Sequence, residues 1–275
     1  MSNPEFINRV VLITGAAKGI GAAITRAIAR AGHSVAAVDC DRAALKQLCE
    51  EPGLQKVFPI VADLTAEDAC NRSVNGAISQ YGHVDALINN VGIGVSWIRP
   101  DAEKNHPTIE EITTEIWDHF FAINVRAAML ITRAALPYMK ARKWGRIINN
   151  TTSYRTMLRV LPYGATKSAL EAMSAIWAAE LKGSGITVNV LVPGGATDTA
   201  LIADGSGWPR SELLRPEIMG PPACWLISDE ADKFTGRRLT AVDWNIALPS
   251  SEAAKTASRP IGWPELAKPP KEWQK

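Results

Sequence analysis

The sequence predicts one doubly wound α/β domain, a parallel sheet with helices on both faces. Three observations carry that prediction. Short apolar runs recur along the chain, each separated from the next by a helix-length segment. The first run ends in a glycine-rich turn that opens a helix. The 275 residues, 47% hydrophobic and 21% charged, suit a single domain with a substantial core.

Residues 10–13, Val-Val-Leu-Ile, end at Thr14 and read as a buried parallel strand. Gly15, Gly19 and Gly21 follow in GxxxGxG spacing, with Lys18 and Ile20 between them. Residues 22–31 then read as a small-residue helix closed by Gly32. Strand, glycine turn and helix together place a pyrophosphate on backbone N–H groups at a helix start. The second strand, residues 35–39, ends on Asp39. A carboxylate there accepts hydrogen bonds from the adenosine ribose hydroxyls and repels a 2′-phosphate, which favours NAD over NADP. Lys18 pulls the other way, as a cation able to serve a phosphate. Asp39 also suits a cap for a helix starting near Asp41.

Residues 57–62 form a third strand ending at Asp63-Leu64, and residues 84–88 a fourth ending at Asn89-Asn90-Val91-Gly92. A long helix from near Glu115 to about Lys140 contains Asn124, a mediocre helix former. Residues 145–150 form the fifth strand and lead into Thr151-Thr152-Ser153. Pro162 suits a helix start, and helix formers continue beyond it.

Tyr163 and Lys167 fall on one face of that helix, a turn apart. A free tyrosine has a pKa of about 10. A nearby ammonium and the positive helix end both favour the phenolate. A tyrosine lowered toward neutrality can take a proton from an alcohol or return one to a carbonyl.

Residues 186–192 form the sixth strand and end at Pro193-Gly194-Gly195. Residues 198–216 read as a mobile substrate loop, since Gly205, Gly207 and Pro209 break any long helix. Trp208, Leu213 and Leu214 are its candidates for lining an apolar pocket. A helix over 217–227 and a last strand over 235–243 complete a domain spanning 1–245. Residues 246–275 form a Pro/Trp-rich extension. Pro249, Pro260, Pro264, Pro269 and Pro270 argue against a helix there. Trp263 and Trp273 favour packing, on a neighbouring subunit, over a partly disordered end.

The net charge is +2 with no basic run, so no strong field draws the chain to nucleic acid or a membrane. Cys40, Cys49, Cys70 and Cys224 show neither CxxC nor metal-ligand spacing, which suits a reducing cytosol and no metal. The N-terminus lacks a basic region followed by an apolar one. A cytoplasmic protein is the expectation.

With TGxxxGIG at 14–21, Asp63-Leu64, Asn89-Asn-Val-Gly92 and Tyr163-x-x-x-Lys167 in this order, the sequence resembles the short-chain dehydrogenase/reductase family over roughly residues 8 to 245. The resemblance implies a Rossmann-type fold and an NAD-dependent alcohol dehydrogenase or carbonyl reductase. It implies a small-molecule alcohol or carbonyl substrate, and a homodimer or homotetramer built through the helices near Glu115 and Tyr163. Gly15, Lys18, Gly19, Ile20 and Gly21 would then hold the dinucleotide. Asp63 would meet the adenine amino group with Leu64 beside the ring, and Asn90 and Gly92 would lie along the ribose. Pro193, Gly194 and Thr197, or Thr199 in a shifted register, would serve the carboxamide or pyrophosphate. Tyr163 moves the proton, and Lys167 lowers its pKa and holds the nicotinamide ribose. Asn124 binds a water at a local break in its helix.

A hydroxyl after the fifth strand should hold the substrate oxygen. Counting from the strand start selects Thr152, and residue type selects Ser153. The connection to Tyr163 is shorter than the family pattern, so counting back does not choose. Val91 stands where the family usually has Ala. Residues 93–115 are longer than the resemblance requires and read as a tolerated surface insertion, with a lid or an oligomer contact as alternatives. A second reading keeps the fold without the chemistry, as a dinucleotide-binding sensor or scaffold. A kinase-like phosphate loop is set aside, because Ile20-Gly21 stands where a Lys-Ser/Thr pair would close it.

Overall fold

A computed structural model describes residues 8–265. Pro269, Pro270 and Trp273 of the extension lie outside the described residues. Eight strands form one sheet in the order β3-β2-β1-β4-β5-β6-β7-β8. They are β1 (Val10–Thr14), β2 (Ser34–Asp39), β3 (Val57–Val61), β4 (Ala86–Asn89), β5 (Gly145–Asn150), β6 (Ile186–Val192), β7 (Arg237–Thr240) and β8 (Ser258–Pro260). β1 to β7 pair in parallel, and β8 runs antiparallel on the β7 edge. The helices are α1 (Gly19–Arg30), α2 (Arg42–Cys49), α3 (Glu67–Tyr81), α4 (Thr114–Phe121), α5 (Ala127–Arg142), α6 (Tyr154–Met157), α7 (Tyr163–Glu180), α8 (Gly220–Leu226) and α9 (Ser250–Thr256).

Parallel strands covered on both faces need apolar side chains on both. In β1, Val11 and Ile13 join one core cluster with Ile24, Ile28, Leu45 and Leu226. Leu12, pointing the other way, joins the second with Val74, Ile131 and Val188. Each such fully buried side chain contributes about 1.5–3 kcal/mol relative to an exposed one. Strand order reverses between β1 and β4, so a crevice opens there at the carboxyl ends of the strands.

α4 and α5 are one continuous helix interrupted by a π-turn over Ala122–Arg126, with Asn124 inside it. The 29-residue run Thr114–Arg142 is long and apolar enough to cross a membrane. Here half of its apolar window is buried within the protein, and α5 supplies Leu130 and Ile131 to the second core cluster.

The structure corrects three expectations. Residues 217–227 are a 3-10 turn, Pro216–Met219, followed by α8, with prolines in the first turn of that helix. The extension contains α9 and β8 despite its prolines: Pro249 caps α9 and Pro260 ends β8, so neither interrupts an element. And Trp263 packs within the same chain, 5.5 Å from the ring of Tyr154.

Candidate active site

A cleft of about 960 Å3 opens at the strand-order reversal. Of the residues assigned from sequence, all but Gly21, Asn124, Leu213 and Leu214 line it.

Gly15 and Gly19 adopt positive φ (62° and 51°), which turns the chain from β1 into α1. Lys18, the residue before the helix, provides no side-chain cap, so the first N–H groups of α1 have no side-chain oxygen from it. Gly21 packs tightly against the turn: a Cβ there would lie 1.9 Å from the Gly15 carbonyl oxygen. The side chain of Thr199 covers this turn, since a Cβ on Gly19 would meet its Cγ2 at 2.8 Å. Thr197 instead hydrogen-bonds the Gly195 carbonyl. Of the two threonines, Thr199 therefore lies against the glycine turn.

Asp39 ends β2 with one oxygen accepting from the Ala17 N–H at 3.0 Å and the other from the Asp41 N–H at 3.0 Å. An ionised carboxylate has about four acceptor positions, so ribose hydroxyls still find lone pairs. The helix cap is Asp41, which accepts from the Ala44 N–H. Lys18 lines the cleft and pairs with Asp41 at 2.6 Å. Asn90 is a clip: its amide donates to the carbonyls of Thr14 and Gly15 and its oxygen accepts from Asn150. A Cβ on Gly92 would meet Asn124 Oδ1 at 3.1 Å and Lys167 Nζ at 3.4 Å. A glycine turn at a helix start without a side-chain cap, with an acid at the next strand end, fits an adenine dinucleotide.

Deeper in the cleft, the Lys167 ammonium donates to the Asn150 carbonyl at 2.9 Å and lies 5.8 Å from the centroid of the Tyr163 ring. Asn124 clamps Ile93, accepting from its N–H at 2.9 Å and donating to its carbonyl at 3.0 Å. It also donates to Thr166 on α7. The π-turn thus ties α5, the β4 loop and α7 together.

The two hydroxyl candidates separate. Ser153 accepts from the Thr156 N–H and caps α6. The Thr152 side chain faces the Tyr163 phenol closely enough to pull its pKa down.

The electrostatics reverse one expectation. Burial pushes the Tyr163 phenol up to about 12; the Thr152 side chain opposes this, and the Glu103 carboxylate adds to it. Burial pushes Lys167 down to about 8. Burial sets the direction of both shifts, moving the phenol away from the phenolate and the ammonium toward the neutral amine.

Sequence reasoning missed the wall opposite the sheet. Residues 93–115 are not a detached insertion: Ser96, Trp97, Glu103 and His106 line the cleft. Trp97 stacks on His119 with centroids 4.4 Å apart, and Ser96 donates to the Leu201 carbonyl at 2.7 Å. Arg155 and Arg159 complete the mouth. Trp208 of the substrate loop lines the cleft, whereas Leu213 and Leu214 do not. The available signal was Trp97 itself, a large aromatic amid charges.

Comparison with known proteins agrees with this architecture. The chain matches the short chain dehydrogenase family over residues 9–208. It is 31% identical over 247 residues to a 3-oxoacyl-[acyl-carrier-protein] reductase of Thermotoga maritima, covering 83% of this chain and 94% of that one. It is 33% identical over 193 residues to a 1,6-dihydroxycyclohexa-2,4-diene-1-carboxylate dehydrogenase of Pseudomonas putida, covering 70% and 68%. A solved 3-ketoacyl-(acyl-carrier-protein) reductase from Brucella melitensis, complexed with NADH, superposes with a TM-score of 0.72 at 29% identity, covering 82% and 93%. The protein belongs to the short-chain dehydrogenase/reductase family of oxidoreductases.

Proposed function

We propose that the protein is an NAD-dependent alcohol dehydrogenase or carbonyl reductase acting on a secondary alcohol or ketone. The observation that carries this reading is the convergence of Tyr163, Lys167 and the Thr152 hydroxyl at the inner end of a cleft whose outer end is the glycine turn and Asp39. A nicotinamide dinucleotide held there supplies the hydride donor or acceptor. Gly15, Gly19, Ile20, Thr199 and the α1 N–H groups hold its phosphates; Asp39 holds the adenosine ribose; Asp63 and Leu64 flank the adenine. Pro193 and Gly194 border the nicotinamide.

The neutral Tyr163 phenol gives its proton to the substrate oxygen during reduction and takes one back during oxidation. Thr152 hydrogen-bonds the same oxygen and stabilises developing charge. Lys167 places positive charge near that phenol, and Asn124 fixes the loop beside it. Asp39 supports NAD over NADP by repulsion at the ribose edge. Exposed Trp117 on α4 and Ile176 on α7 favour a homodimer or homotetramer through those helices. Four free cysteines suit a cytoplasmic setting.

The test is steady-state turnover of an alcohol and ketone panel with NAD(H) and NADP(H). NAD(H)-linked turnover of at least one carbinol–carbonyl pair is the expected result. Tight dinucleotide binding with no turnover across the panel would select the sensor or scaffold reading instead.

A further inference from the structure

We propose that Glu171 and Arg238 are positioning residues for Thr152, and that through them the C-terminal segment sets the geometry of the active site. The proposal rests on the functional reading above, which assigns the Thr152 hydroxyl to the substrate oxygen.

Arg238 lies on β7 and Glu171 on α7, with side chains 7% and 0% exposed. Arg238 Nη1 donates to Glu171 Oε2 at 2.6 Å and to Thr151 Oγ1 at 3.0 Å, while Nη2 donates to the carbonyl oxygen of Thr152. Thr151 Oγ1 donates to Glu171 Oε2 at 2.7 Å. The other carboxylate oxygen accepts from the Gly262 N–H at 3.2 Å, just beyond β8. Tyr154 donates to the Gly262 carbonyl at 2.9 Å, and its ring lies 4.3 Å from the Arg238 guanidinium carbon.

A buried ion pair is a poor stabiliser, because desolvation offsets its attraction. A buried network with its donors and acceptors satisfied instead selects one arrangement of the backbone around it. The residues fixed here are Thr151, Thr152 and Tyr154, the link from β5 to α6. Glu171 lies eight residues beyond Tyr163 on the same helix. The network therefore holds the Thr152 loop and the Tyr163 phenol to one rigid frame, and β8 closes it from outside. A misplacement of about 1 Å at a reacting group costs on the order of 100-fold in rate.

The experiment compares wild type, Arg238→Ala and the double variant Glu171→Gln/Arg238→Met. The double variant replaces the ion pair with neutral groups of similar volume, which preserves folding. For each, kcat, KM, the NADH dissociation constant and amide hydrogen exchange over residues 151–157 are measured, with and without added guanidinium. The expected result is a kcat loss on the order of 100-fold, an NADH dissociation constant within about twofold of wild type, and faster exchange over 151–157 in both variants. Guanidinium should restore Arg238→Ala, whose cavity it fits. Unchanged kcat and unchanged exchange in the folded double variant would overturn the proposal. If wild type turns over nothing, the functional reading fails by itself. Exchange then decides: faster exchange reversed by guanidinium supports the positioning network, and unchanged exchange rejects it.

Discussion

Lys167 Nζ donates a 2.9 Å hydrogen bond to the carbonyl oxygen of Asn150, the last residue of β5. The bond aims a buried ammonium at the strand end where the substrate is proposed to sit, and it does so without a carboxylate partner. Burial brings this amine down to about 8.

Its folded pKa lies below the unfolded value of 10.5, so the folded state carries a desolvation penalty below pH 8 that fades as pH rises toward 10.5. Lys167→Met should raise stability at pH 7 by about 2 kcal/mol, the penalty less one lost hydrogen bond. The gain should shrink above pH 8 and be lost by about pH 10.5. Urea unfolding at pH 7 and pH 10.5 measures both. In wild type, kcat/KM for ketone reduction should be level below pH 8 and fall above it as the ammonium is lost. A limb that rises through pH 8 would contradict this.

Glu103 sits in the same cleft, and its carboxylate raises the phenol of Tyr163. Glu103→Gln should therefore lower the pH at which Tyr163 ionises. Difference absorbance titration against Glu103→Gln/Tyr163→Phe isolates that phenol. No movement, or movement upward, would remove Glu103 from the electrostatics of the site.

At the other end of the cleft, Asp39→Asn keeps the hydrogen-bonding shape and removes the charge that opposes a 2′-phosphate. NADPH affinity relative to NADH should rise on the order of tenfold. Asp41→Asn should add to this by releasing Lys18 from its ion pair. Fluorescence titration with both dinucleotides reads the ratio; an unchanged ratio in the double variant would mean the ribose edge lies elsewhere.

The parts of this site that were legible in the sequence are those set by local chain geometry. The glycine turn, the acid ending β2 and the Tyr163–Lys167 spacing each follow from neighbours within a few residues. What stayed hidden depends on contacts between distant segments. The choice between Thr152 and Ser153 needed the position of Tyr163 across the cleft. The rise of the phenol needed the burial of both groups, which no spacing reveals. Proline density in the extension argues against a helix, whereas the structure places Pro249 and Pro260 at element ends, where they interrupt nothing. The 93–115 segment resembles a surface insertion in sequence, whereas its Trp97 lines the cleft and stacks on His119 of α4.

The central claim is that the Tyr163 hydroxyl moves the substrate proton. Tyr163→Phe deletes that one oxygen and leaves the ring packing against Val95, Ala102 and Val160. Steady-state turnover of this variant, beside its NADH dissociation constant, tests the claim most directly. The account predicts a kcat loss of about 10²–10⁴-fold with NADH binding unchanged. Full NAD(H)-linked turnover by Tyr163→Phe would contradict it.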